Sequence, residues 1–257
     1  MKNLIFIYYL LFSFSIFSQD ATPIKNGLIY DNGKIKVYSK TTETKYFDAK
    51  LLLKTPNRKI KPGANAFKYE VVDYRLREQT TGSENELLAN SSKGQHIHFI
   101  VDNGPYQAKY DPNFEARLES GSHLVLAFLS RSFHESVKAK NAFVLKQYRV
   151  GVNSKRLVNL KKDPMLFYSR PKGTYSKDKK NQILLDFYLV NTELSKNGNK
   201  VKVTLDGNSF TVNKWQAYII EGLEVGEHQI EITLIDTNGV AIPGPFNNSG
   251  IRIFTVE

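Results

Sequence analysis

The chain has 257 residues, a formal net charge of +11 and no cysteine, which excludes disulfide frameworks, zinc ribbons, iron–sulfur clusters and thiol nucleophiles. Any metal site must use His, Asp or Glu. With 41% hydrophobic residues, the length suits two domains of roughly 100 residues each, large enough to bury cores without covalent staples.

The N-terminus opens with a single lysine, Lys2, and an apolar run from Leu4 to Phe12. A Ser/Phe stretch follows and ends at Ser18. This pattern reads as a secretory signal peptide over residues 1–18, cleaved near Ser18, and predicts a periplasmic or secreted protein. No later segment is apolar enough to predict an integral membrane span. The basic groups Arg58-Lys59, Lys161-Lys162 and Lys177 to Lys180 are scattered over turn-like segments without interleaved aromatics. They read as solvated surface, with no nucleic-acid partner expected; anionic envelope components or another envelope protein are the expected contacts.

The chain repeats itself. Lys54-Thr-Pro56 matches Ser169-Arg-Pro171, and Val72-Asp-Tyr-Arg-Leu76 matches Leu185-Asp-Phe-Tyr-Leu189. Further on, Gly94 to Asp102 matches Gly198 to Asp206, and Leu118-Glu-Ser-Gly-Ser-His123 matches Leu223-Glu-Val-Gly-Glu-His228. Collinear blocks of this kind indicate a duplicated domain. The first copy carries extra residues in the polar stretch Thr80 to Lys93, which reads as a mobile loop in which Glu84 and Glu86 are solvated.

Both copies read as β throughout. In copy one, strands are expected near Ala49 to Leu53, Phe67 to Leu76, His96 to Val101, Phe114 to Leu118, Leu124 to Leu129 and Phe143 to Val150. In copy two, Val201, Val203 and Leu205 alternate with Lys200, Lys202 and Thr204, and Asn-Gly and Asp-Gly pairs mark turns. The predicted fold class is all-β, with two tandem immunoglobulin-like antiparallel β-sandwiches over residues 27–152 and 163–257, joined through Asn153 to Lys162.

Four of the five histidines fall in copy one. The Leu-x-x-Gly-x-His motif resembles the corner of bacterial immunoglobulin-like and fibronectin-like domains, where a ring near the start of the penultimate strand bonds back to the backbone. His123 recurs as His228, so the corner explains both. His96 and His98 replace Lys200 and Lys202 and share one strand face, opposite Ile97, Phe99 and Val101. In such sandwiches the penultimate strand runs antiparallel to the third, so its end, followed by His134, lies beside the start of the strand that carries His96. His96, His98 and His134, with Glu135, therefore form a candidate Zn or Cu site at one rim, with His123 out of reach. The bland reading is a pair of surface histidines on an exposed strand.

The same loop supports another use. Ser130, Arg131, Ser132 and Lys138 are candidate anion ligands, because a guanidinium flanked by hydroxyls suits a carboxylate, sulfate or phosphate. Trp215 and Tyr218 suggest a sugar-stacking platform, against the plainer reading of a core Trp.

On these residues copy one resembles a family of short secreted bacterial domains of undescribed chemistry. Its pattern is Gly, a His cluster, aliphatics and Asp, then Ser-Gly-x-His, then a strand ending before another His. Gly94, His96, His98, Asp102, His123 and His134 match it, while Ile97 stands where the family has a further His. The whole chain is also similar to secreted two-domain Gram-negative proteins labelled phosphopeptide-binding. The expected role is a non-enzymatic binding or structural protein. The alternative is a metal-dependent enzyme on the copy-one rim, although Lys138 stands where a zinc-protease helix beginning at His134-Glu135 needs its second His.

Overall fold

The computed structural model describes residues 25–41, 45–56, 60–83, 87–151, 155–176 and 182–257. The predicted signal peptide, Arg58-Lys59, Lys177 to Lys180 and Glu84 to Glu86 lie outside the described residues. The described chain is all β-strand and loop, with seventeen strands and no helix long and apolar enough to cross a membrane.

In the first unit, β3 (Lys50–Thr55), β4 (Gly63–Val72) and β7 (Asn113–Leu118) form one sheet. The facing sheet has the order β6 (Gln107–Lys109), β5 (His96–Val101), β8 (Gly121–Ser130), β9 (Phe143–Val150). Strands one, two and five thus oppose strands three, four, six and seven, the immunoglobulin-like plan shared with fibronectin-type domains. The second unit repeats it. Strands β10 (Met165–Arg170), β12 (Ile183–Val190) and β15 (Tyr218–Glu221) face β13 (Lys200–Leu205), β14 (Asn208–Val212), β16 (Gly226–Ile235) and β17 (Arg252–Val256). A short β11 (Gly173–Tyr175) runs parallel to β17 at the edge.

One boundary is corrected. Residues 27–40, read as the start of copy one, lie in a hairpin of β1 (Lys25–Asp31) and β2 (Lys36–Lys40) that belongs to the other sandwich. Strand β2 pairs antiparallel with β15, from Tyr218↔Ser39 to Glu221↔Lys36. Ile35 and Val37 join the second unit's core beside Phe187 and Ile220. The hairpin covers the edge that β15 would otherwise present to solvent, a common hazard of open sheets.

Alternation then places the two faces of each strand. Ile97 and Phe99 of β5, with Val125, Ala127 and Leu129 of β8, enter the first unit's own core. The opposite faces, Ile100 with Leu124, Leu126 and Phe128, do not meet water. They pack on Met165 and Phe167 of β10 and on Tyr188 and Val190 of β12. Phe128 stacks on Tyr188 at 4.6 Å. Strands buried on both sides read as near-continuous apolar runs, which is what Leu124-Val-Leu-Ala-Phe-Leu129 is and what Ile183-Leu-Leu-Asp-Phe-Tyr-Leu-Val190 is but for Asp186. The two sandwiches are therefore welded face to face, and Val158 from the connecting segment lies in the same cluster.

The stretch Thr80 to Lys93, expected to be mobile, is anchored where it is described. The Thr80 N–H donates to Ser132 Oγ at 3.1 Å and the Ser132 N–H donates to Thr80 Oγ1 at 3.0 Å. Leu88 is buried with Phe133, Leu184, Ala217 and Ile219. The polar composition that suggested solvation serves these reciprocal bonds instead.

Candidate metal centre

The site begins with strand register. His96 sits opposite Ser130 and His98 opposite Phe128, so the end of β8 lies beside the start of β5 and the next turn brings His134 back over them. In that turn the His134 N–H donates to the Arg131 carbonyl at 3.0 Å and the Arg131 N–H to the Glu135 carbonyl at 2.9 Å. His134 adopts a left-handed φ of 71°, uncommon outside glycine, and this aims its ring at the strand.

Three ring nitrogens converge. His96 Nε2 lies 3.0 Å from His98 Nε2 and 3.1 Å from His134 Nδ1. Nitrogens bound tetrahedrally to one zinc ion stand about 3.3 Å apart, given bonds near 2 Å, so the spacing fits a shared ion. His96 and His98 are fully buried and His134 is half-buried. The expectation of an exposed strand face is thus overturned, because the second sandwich covers it.

Each ring is oriented from behind. The His96 Nδ1–H donates to the Gly94 carbonyl at 2.9 Å, which leaves Nε2 as a bare lone pair. Gly94 has a φ of 79°, and a Cβ there would stand 2.5 Å from the Glu78 carbonyl oxygen, so only glycine fits this tight approach. His98 Nδ1 lies 3.2 Å from Ser169 Oγ on β10, a contact supplied by the second sandwich. Tyr106 stacks on the His98 ring at 3.7 Å and its hydroxyl lies 3.4 Å from His134 Nδ1.

Burial keeps all three rings neutral. It pulls His96 down to about 4, with the Arg170 charge acting in the same direction against the Gly94 hydrogen bond. Burial likewise holds His98 well below the usual histidine range, helped by its neighbouring rings and by Arg170 and Lys172. His134 is lowered by burial and then by Arg170. Neutral imidazole is the ligating form. The bare His96 Nε2 can accept an N–H from only one of the two ring nitrogens that face it.

The remaining expected residues lie elsewhere. Glu135 turns away from the triad and approaches Lys40 of β2 at 3.1 Å, with both side chains buried. Ser130, Arg131 and Ser132 are also buried and do not form an open anion cradle. Arg131 stacks over Tyr46 at 5.2 Å, and Ser130 Oγ donates to the Arg131 carbonyl. Lys138 Nζ donates to Asp186 Oδ1 at 2.7 Å, and Ser136 Oγ reaches the same oxygen at 2.9 Å. Asp186 is fully buried on β12, so this loop clamps the sandwiches together. Tyr218 is a core residue whose hydroxyl donates to the Lys214 carbonyl, which leaves no Trp215–Tyr218 platform.

His123 takes the corner position. Its Nδ1 lies 2.6 Å from Asp102 Oδ2 and its Nε2 3.1 Å from the Glu119 carbonyl. His228 repeats this with Asp206 at 2.6 Å and Glu224 at 2.8 Å. The aspartates, both inside a matched sequence block, are the partner that the sequence reading missed. Tyr106, Ser169, Arg170 and Lys172 were missed too. The Asn103-Gly-Pro105 turn behind Tyr106 and the matched block at Ser169-Arg170-Pro171 were the available signals.

No family model matches the chain, and no curated protein matches it. The likeness of copy one to a His-rich family therefore stands on its own residues alone. Among solved structures, the chain is similar to the fibronectin(III)-like modules of Clostridium thermocellum CbhA, with 10% identity, a TM-score of 0.26 and coverage of 80% of this chain and 92% of that one. The Bacteroides ovatus mixed-linkage glucan utilization locus protein SGBP-B matches at 15% identity and a TM-score of 0.22 over 81% of this chain and 47% of that one. The tandem V-type regions of VCBP3 match at 8% and 0.23 over 80% and 99%. The fold assignment here rests on the strand order above.

Proposed function

We propose that the chain is an exported, non-enzymatic binding or structural protein whose two sandwiches enclose a site for Zn or Cu, with His96, His98 and His134 as ligands. The observation that carries this reading is the His96 Nε2 lone pair, fixed by the Gly94 bond and facing two other ring nitrogens within 3.1 Å. A metal ion gives all three lone pairs a common partner. Burial of two ligands under the second sandwich supports a binding or structural role. Placement in the periplasm or outside the cell rests on the signal pattern of residues 1–18.

The test is a chelator-competition titration of tag-free protein with Zn²⁺ and with Cu²⁺. One ion per chain should bind with a dissociation constant tighter than about 10 μM, corresponding to roughly 7 kcal/mol. His96→Gln should abolish this, whereas His123→Gln should leave it unchanged. Absence of binding by the wild type sinks the proposal.

A further inference from the structure

The charges around the triad are unusual for a cation site. No carboxylate belongs to the ligand group among the described residues, and none acts on the three rings. Instead two cations stand close by, Arg170 at the end of β10 and Lys172 just after it. Lys172 Nζ lies 4.2 Å from the centre of the Tyr106 ring, on whose other neighbour, His98, that ring stacks. The Arg170 guanidinium lies 5.4 Å from the same ring. Arg170 is buried, and although its Nη1 donates to the Lys172 carbonyl and to the Tyr175 hydroxyl, its Nε has no hydrogen-bond partner.

A divalent ion held by three neutral imidazoles would therefore place its two charges beside the buried Arg170 guanidinium, with Lys172 adding a further charge from the exposed side, where its Nζ donates to the Tyr106 carbonyl at 2.6 Å. Such a cluster is costly unless an anion joins it. The coordination sphere has room for one: three protein ligands leave the fourth tetrahedral position open. His134 is the half-buried member of the triad, the one through which solvent touches it. The Tyr106 hydroxyl at 3.4 Å from His134 Nδ1 supplies a donor at that side, and its ring stacks on His98.

Resting on the metal reading, we propose that the loaded triad binds an oxyanion, the phosphate or carboxylate group of a ligand. One oxygen sits on the ion, and Tyr106, Arg170 and Lys172 hold the rest. The site is then a composite of both sandwiches: the first supplies the metal ligands and the second the cations. Its anion-holding side chains are also other than Ser130, Arg131, Ser132 and Lys138, the residues that the sequence pattern suggested for an anion.

Two ligands that share a site must strengthen each other by the same factor. Zn²⁺ affinity should be measured by chelator competition in a non-coordinating buffer, then with millimolar inorganic phosphate and, separately, with acetate. The expected result is a gain in zinc affinity of about tenfold or more with at least one anion, within the usual range of coupling between ligands. The anion that gives the larger gain identifies phosphoryl or carboxylate chemistry. Lys172→Gln, an exposed position, should lose most of that gain while binding zinc in anion-free buffer as well as the wild type or better. Arg170→Gln should do the same if it folds. A purely structural role for Lys172 would instead weaken zinc equally in every buffer. Zinc affinity that ignores both anions overturns this inference and leaves the metal reading intact. No zinc binding in any buffer overturns both.

Discussion

His98 and Ser169 meet across the boundary between the sandwiches, with Nδ1 3.2 Å from Oγ. A ligand nitrogen on one unit is thus oriented by a hydroxyl on the other. Partners behind a ligating imidazole fix its rotation and commonly change metal affinity by 10- to 100-fold when removed. Ser169→Ala should therefore weaken Zn²⁺ binding by about tenfold. Chelator competition reads the loss, and an unchanged affinity would show that Ser169 merely fills space.

Acid should destabilise the metal-free protein in a defined window. The folded state holds His96 near 4, while the unfolded chain titrates near the ordinary 6.5. Above about pH 6.5 both states are neutral and the ring contributes no pH dependence. Between about 6.5 and 4 the unfolded state binds the proton that the folded state refuses, so stability falls as pH falls, by up to about 1.4 kcal/mol per pH unit for each such histidine. His98 and His134 are lowered in the same direction and add to the slope. Urea midpoints from pH 7.5 to 4.5 should show this, with a shallower slope for His96→Gln.

Asp186 is the hub of the clamp between units. It accepts from the Ser136 N–H at 3.2 Å, from Ser136 Oγ at 2.9 Å and from Lys138 Nζ at 2.7 Å. Asp186→Ala would leave those donors without their acceptor at a buried boundary. Removing one partner of a buried pair costs about 3 to 5 kcal/mol. Equilibrium unfolding should show a loss of that order, with the transition splitting into two as the sandwiches uncouple. A loss below about 1 kcal/mol would mean that the apolar contacts alone hold the units.

Gly222 should tolerate no side chain. Its φ is 83°, and a Cβ there would stand 1.9 Å from the Lys34 carbonyl oxygen. Gly222→Ala forces the hairpin of residues 25–40 off β15 and should cost several kcal/mol, since both the φ and the contact are violated. Limited proteolysis should then cut within that hairpin while the first sandwich stays resistant.

Local pattern in the sequence carried the strands, the two copies and the convergence of His96, His98 and His134, because register in a sandwich follows from alternation and strand order. The corner role of His123 was legible for a different reason: its repeat as His228 removed the metal explanation. What stayed hidden was long-range. Nothing near Val37 announces that it pairs with Ile220, and nothing near His98 announces Ser169 behind it. The run Ile183 to Val190, apolar but for Asp186, is what a strand covered on both faces looks like. Ser130, Arg131, Ser132 and Lys138 look like ligand groups in isolation because a buried clamp and an anion cradle draw on the same side chains.

The hairpin at residues 25–40 also sets an order of events for a chain that emerges from its N-terminus. Strands β3 to β9 are contiguous and can close as soon as they are available. Strand β2 must wait for β15, which is made only after the whole first unit and most of the second. The protein is therefore one sandwich inserted within another, and its earliest strands are among the last to find their place. Until Tyr218 to Glu221 arrive, Val37 and its neighbours remain uncovered apolar sequence, the part of the fold most open to mispairing while it forms.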